Sequence, residues 1–243
     1  TTSFQATIFA TPVAPNISDW WVCDDDNDGQ YQFDLNEKAN EIFDGNGNGA
    51  ISFYVSEQDA EQAQNTIIDF NTFQNTENPQ ILYFRLENNG NANCYNVGQF
   101  EVQVFDTPTA YEPMDIVVCD DAETGSYSFD LGQKDVEVLN GQDGSVYGVT
   151  YYASELDAYN DANAISKDNY VNSNLTETLY VRVQHRLLDT CYDVTQFNLI
   201  VNTLPQLDLE DTYVICPDYP DLVIDVGLFE NYLWKDAQGY TVG

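Results

Sequence analysis

The stretch VCDDDNDGQYQFDL, Val22 to Leu35, returns as VCDDAETGSYSFDL, Val118 to Leu131, at an offset of 96 residues. ISFYVSEQDA from Ile51 returns as VTYYASELDA from Val149, and LYFR from Leu82 as LYVR from Leu179, at offsets of 98 and 97. Small drifts of this kind are loop insertions and deletions between fixed strands. A period near 97 is too long for a solenoid repeat and suits a string of whole domains, each with its own core.

The phase of the repeat divides the chain. FQATIFATP, Phe4 to Pro12, matches FEVQVFDTP, Phe100 to Pro108, and Cys216 falls 97 residues after Cys119. We therefore expect the last strand of a preceding module over 1–12, modules over 13–108 and 109–205, and the start of a further, divergent module over 206–243. Cys216 to Trp234, CPDYPDLVIDVGLFENYLW, lacks the acidic loop and the FDL of the other two openings. Pro12, Pro108 and Pro205 each follow a terminal strand, where a residue without an N–H ends pairing and stiffens the link. An extended rod is the expectation.

Within each unit the apolar residues alternate, as a strand with one face in a core requires. Leu82, Phe84 and Leu86 do so, then Phe100, Val102 and Val104; Leu179, Val181 and Val183 followed by Phe197, Leu199 and Val201 repeat the pattern. Helical periodicity is confined to Leu35–Phe43, Gln58–Asn65, Leu131–Leu139 and Asp157–Asn163, which read as connections rather than layers. Short strands between Asn, Gly, Asp and Pro clusters, at about 100 residues per unit, predict an all-β chain of tandem immunoglobulin-like antiparallel β-sandwich modules.

Forty-one acidic residues against seven basic ones give a formal charge of −34, which excludes nucleic acid and anionic membrane as simple electrostatic partners. With 43% hydrophobic residues, including 17 Tyr and 13 Phe, the chain is nonetheless too apolar for a disordered acidic tail. It contains no apolar run of 18 residues.

Five cysteines carry the argument about compartment. Cys23 and Cys94 lie 71 residues apart, and Cys119 and Cys191 lie 72 apart, at matching module positions, with Cys216 left over. Disulfides Cys23–Cys94 and Cys119–Cys191, one per module, are the expectation, with buried free thiols as the alternative. A zinc site fits less well, because there is no CxxC and His185 has no counterpart in the first module. Disulfides imply export to an oxidising space.

Two acidic loops have ligand-like spacing. Asp24, Asp26 and Asp28 precede Gly29 in a D-x-D-x-D-G pattern typical of oxygen-rich calcium loops. An EF-hand is rejected, since the twelfth position is Leu35, although Asp34 beside it offers a further carboxylate. Asp44, Asn46 and Asn48 form a weaker version, and in the second module Asp120, Asp121 and Ala122 have lost the alternation. The alternative for each is a turn capping its own backbone.

Catalytic constellations are scarce. His185 lies on a strand pattern without a nucleophile motif, paired carboxylates are uninformative at this acid content, and no glycine loop opens a helix to cradle phosphate. The chain is not read as an enzyme. Lys38 recurs as Lys134 and Arg85 as Arg182; the arginines are expected to form structural ion pairs with Asp34 and Asp130 of the repeated FDL.

The C-D-D and F-D-L elements, the ISFYVSEQDA and VTYYASELDA segments, LYFR or LYVR, and the late cysteine before a strand and proline resemble the tandem modules of very large Bacteroidota surface proteins. Those proteins are exported by the type IX secretion system and include gliding-motility adhesins. The resemblance implies a secreted, cell-surface segment whose partners are neighbouring modules of the same chain, the secretion and attachment machinery, and surface polysaccharide or another cell. Two other readings stay open. One is a spacer or carbohydrate-binding region of a secreted polysaccharide-degrading enzyme; the other is a polymerising fibre subunit in which Phe4–Phe9 completes a neighbour by strand addition.

Overall fold

Alternating apolar residues on long strands are where the fold begins, and the computed structural model describes residues 3–43, 49–121, 124–204, 218, 224, 226–228 and 231–241. The first module comprises β1 (Trp20–Asp24), β2 (Gln32–Phe33), α1 (Leu35–Phe43), β3 (Gly49–Tyr54), α2 (Glu57–Gln62), β4 (Phe73–Gln74), β5 (Gln80–Asn88) and β6 (Asn91–Asp106). The second repeats it as β7 (Ile116–Asp120), β8 (Ser128–Phe129), α3 (Asp135–Leu139), β9 (Tyr147–Tyr152), α4 (Glu155–Asn160), β10 (Tyr170–Val171), β11 (Thr176–His185) and β12 (Tyr192–Thr203). Each module has a four-stranded sheet, ordered β1-β6-β5-β3 or β7-β12-β11-β9, and a two-stranded ribbon, β2-β4 or β10-β8.

The alternation read from sequence is the alternation that is buried. Leu82, Phe84, Leu86, Phe100, Val102 and Val104 enter one core, and Leu179, Val181, Val183, Phe197, Leu199 and Val201 enter a separate second one. The chain is thus all-β, with two tandem immunoglobulin-like modules, each closed around its own core. Two details differ from expectation. The first strand of each module runs parallel to the last, β1 to β6 and β7 to β12, while the other pairings are antiparallel. And α1 is part of a layer, because Leu35, Ala39 and Ile42 recur at helical spacing and are buried against the sheet.

The expected strand Phe4–Phe9 carries no sheet pairing; residues 3–19 run as irregular chain. The loop Asp44, Asn46 and Asn48, together with Pro205, Cys216 and most of 206–243, lies outside the described residues.

Both repeated arginines hold backbone, not aspartates. Arg85 Nη1 donates to the carbonyls of Ala60 and Glu61 at the end of α2, Nη2 to Ala92 O, and Nε to Glu87 at 2.5 Å. Arg182 repeats this with Ala158 O, Tyr159 O, Asp189 O and the Gln184 side chain. The expected pairs with Asp34 and Asp130 are therefore corrected. Those carboxylates accept the N–H groups of Asn36 and Gly132 and start the following helical turn. A guanidinium has five donors in a fixed fork, and the last carbonyls of a helix are both unsatisfied and electronegative. Tyr95 and Tyr192 cover the two guanidinium faces, at 3.2 and 3.4 Å from ring centroid to Cζ.

Replacing Arg182 by Met should leave three carbonyls, one of them buried, without these donors and destabilise the second module by about 3 kcal/mol, against well under 1 kcal/mol for Asp130→Asn. Urea unfolding of the two variants checks the ranking, and equal losses would return Asp130 to consideration as the arginine's partner.

Candidate functional site: a cross-linked junction between modules

Cys23 lies on β1 of the first module, and its partner is Cys191 at the β11–β12 turn of the second, with the Cα atoms 5.3 Å apart. Cys94 and Cys119 are free thiols. The expected bonds Cys23–Cys94 and Cys119–Cys191 are overturned, and the length of β6 gives the reason. Cys23 stands opposite Phe105 in the parallel ladder, whereas Cys94 is eleven residues upstream on the same long strand. At ~3.3 Å per residue that is roughly 35 Å, far beyond the ~7 Å over which two Cα atoms can be bridged. Cys119, opposite Asn202, is equally remote from Cys191 along β12.

Aromatic residues pack across the same junction. Phe105, at the end of β6, meets the Trp21 ring edge-on at 5.6 Å and packs on His185 at 4.6 Å. His185 also meets Tyr147 at 5.6 Å, and the Tyr147 hydroxyl donates to Asp106 O across the junction. Backbone bonds fix the turn that carries the cysteine: His185 N–H donates to Cys191 O, and Cys191 N–H to Leu188 O. Cys191 is fully buried. His185 Nδ1 accepts the N–H of Leu187, so the neutral imidazole carries its proton on Nε2. Burial pushes its pKa below the usual value, against a weaker upward pull from the Asp106 carboxylate.

The acidic loop lies at the same end of the first module. Asp24 is buried, and its carboxylate accepts the N–H groups of Asp26, Asn27 and Gly29. Burial alone would raise the Asp24 carboxyl; hydrogen bonds from Gly29, Asp26 and Asn27 outweigh it and hold the pKa below the ordinary value. Asp26 is displaced upward by its hydrogen-bonded contact with Asp24 and then by the charge of Asp28. One ligand oxygen from each of Asp24, Asp26 and Asp28 lies within 4.8 Å of the others. Asp34 belongs to the helix cap described above.

Asn75 locks this loop from the far side of the module, accepting Tyr31 N–H and donating to Gly29 O. Asn172 does the same for Tyr127 and Gly125, and Asp120 accepts Gly125 N–H as Asp24 accepts Gly29. The turn thus closes with or without alternating carboxylates. Asn27 joins it to the exit of the module, exchanging side-chain bonds with the N–H and carbonyl of Thr107. Sequence reading missed the two asparagines, whose signal was their recurrence at an offset of 97. It also missed the junction roles of Phe105, Tyr147 and His185, although Phe105 recurs at the repeat offset of 96 from Phe9.

The family model described as the Flavobacterium inter-domain disulphide bond domain matches residues 19–108 and again 115–205. A comparison with curated proteins finds no match. Among solved structures, the chain is similar to the insect immune protein hemolin, at 10% identity and a TM-score of 0.26, over 84% of this chain and 49% of that one. The chain therefore spans about half the length of hemolin. It is also similar to domains EC1-2 of human mucin-like protocadherin (12% identity, TM-score 0.23, 79% of this chain and 97% of that). Titin domains Z1Z2, in complex with telethonin, match at 10% identity and a TM-score of 0.20, over 65% of this chain and 83% of that.

The junction should respond to pH through His185. Its pKa is depressed when docked, so the undocked state takes up the proton first; the docking contribution is complete above about pH 6.5 and is lost as pH falls toward the docked value. Fluorescence of Trp21, which abuts Phe105, titrated between about pH 7 and 5, should show a transition that His185→Asn removes. An unchanged transition in the variant would place its origin elsewhere.

Proposed function

The chain belongs to the Flavobacterium inter-domain disulphide bond domain family, and from that premise we propose that it is a non-catalytic stalk segment of a secreted adhesin, holding a binding end away from the cell surface for attachment or gliding. The observation that carries the reading is the Cys23–Cys191 bond. A disulfide inside one domain stabilises that domain; one between two domains with separate cores restricts how they swing. Restricted swing is what a spacer requires and what catalysis on a single-domain surface does not. The same bond supports export, since disulfides persist in oxidising compartments. Type IX secretion and a cell-surface location complete the proposal.

Small-angle scattering of the oxidised chain should give a maximum dimension near the sum of two module lengths, and Cys23→Ser with Cys191→Ser should broaden the distance distribution while circular dichroism stays unchanged. A compact profile would rule out the stalk. On producing cells, antibody to the segment should label intact cells, and loss of the gene should reduce attachment or gliding. Labelling only after lysis would oppose a surface role.

Calcium is the proposed cofactor at Asp24, Asp26 and Asp28. Ligand oxygens of Asp24, Asp26 and Asp28 lie within 4.8 Å of one another, and a divalent ion would relieve the repulsion among them. Extracellular calcium modules bind at ~10⁻⁴ to 10⁻³ M, so roughly 10 mM calcium should stabilise the first module by about 1.4 to 2.7 kcal/mol through mass action. Thermal unfolding of wild type and of the Asp26→Asn, Asp28→Asn double variant tests this. Equal calcium shifts in both would reduce the effect to screening of the acidic surface.

A further inference from the structure

The two modules share one design, and at one place the first is filled where the second is open. Trp20 on β1 packs against the core of the first module beside the ribbon strand β2. Its ring meets Phe33 edge-on at 5.1 Å, and Tyr31 meets Phe33 at the same distance, so three rings stand in a row. Lys38 Nζ lies 5.7 Å from the centroid of the Trp20 ring. It donates to Ser18 O at 2.8 Å, Ser18 Oγ at 3.2 Å and Glu41 Oε2 at 2.6 Å, an acceptor for each of its three protons.

At the offset of 96, Tyr127, Phe129, Lys134 and Glu137 keep their identities, but Ile116 stands where the first module has Trp20, Ser128 where it has Gln32, and Met114 where it has Ser18. Tyr127 and Phe129 still meet at 5.0 Å. The third ring is missing. In its stead a cleft of about 510 Å³ opens between β7 and β8, lined by Ile116, Val118, Tyr127, Phe129, Gln133 and Lys134, a size ordinary for a binding pocket. Lys134 is only 9% exposed. Among the described residues its ammonium has one hydrogen-bond acceptor, Glu137 at 2.9 Å, since Met114 offers no hydroxyl. The cleft adjoins a free edge, because β7 has β12 as its one neighbour in the sheet.

We propose that this cleft binds an indole-sized aromatic side chain carried on an extended segment of a partner protein, which pairs with the free edge of β7. The ring fills the place that Trp20 fills in the first module, beside Phe129, and a carbonyl oxygen of the segment accepts from Lys134 as Ser18 O accepts from Lys38. Main-chain pairing at the edge supplies affinity and the pocket selects the side chain. A sugar ring could stack on Tyr127 but would leave the edge unpaired. The segment carries no acidic residues beside its aromatic one, since a chain of formal charge −34 repels them. This site is separate from the cross-linked junction: β7 pairs with Leu199–Thr203, whereas Cys191 precedes Tyr192 at the opposite end of β12. It stands or falls independently of the stalk reading.

The test is an NMR titration of the oxidised, isotope-labelled full chain with a tripeptide blocked at both ends, tryptophan at its centre between two threonines. Saturable amide shifts should appear at Ile116, Val117, Val118, Ser128 and Phe129, and the same peptide with a central alanine should give none. Ile116→Trp restores the third ring and should abolish binding, and Lys134→Met should weaken it roughly tenfold. Trp20→Ile should open the matching cleft in the first module and add a second set of shifts at Val22 and Phe33. Should Trp20→Ile unfold its module, the Ile116→Trp arm decides alone, with the dispersed spectrum of that variant as proof of folding. Absence of shifts at millimolar peptide, shifts spread over the acidic surface, or binding undiminished by Ile116→Trp would overturn the proposal. So would glucose moving the same amides while the tryptophan peptide does not.

Discussion

One long strand governs how this protein is joined together. β6 runs 16 residues, from the hairpin that follows β5 to the exit of the first module, and β1 lies parallel to its far end. The cysteine on β1 and the cysteine near the hairpin are consequently at opposite ends of the module. Where β1 meets the β11–β12 turn, the first-strand cysteine of one module bonds the hairpin cysteine of the other, so covalent closure crosses the junction. The aromatic cluster of Trp21, Phe105, Tyr147 and His185 packs across the same junction.

Much of the fold was legible because periodicity reports burial directly. Leu82, Phe84 and Leu86 alternate in sequence and are all fully buried. Helix α1 was misjudged for a related reason: Leu35, Ala39 and Ile42 mark one face over only nine residues, and the decision to bury that face is taken by the sheet opposite. Strand direction was not legible at all. The five residues of β1 satisfy a parallel or an antiparallel partner equally, and the choice is made by the chain connecting it to β6.

The site was less readable, because its determinants are degenerate in sequence. In a tandem repeat, a bond within each module and a bond to the next module predict identical cysteine spacing, so 71 and 72 residues carry no preference. Only a length in space separates the two. Arg85 and Arg182 were seen as retained cations, but their acceptors are mainly carbonyls of α2, α4 and the hairpins, and a carbonyl has no one-letter code. Asp24 was seen as a ligand and is foremost a turn-closing acceptor, with Asn75 as its unseen counterpart across the loop.

The position of the cross-link has a mechanical side. Tension entering the first module through its β1 strand can pass from Cys23 straight to Cys191, by-passing the backbone between them. That stretch has a sequence separation of 168 residues, and fully extended it would span at most roughly 550 to 600 Å. The bond withholds that contour from any pull applied along this path, so even a module whose core gives way cannot pay out its length. Stretching becomes a redox property: the slack in the chain is released by reduction, not by force.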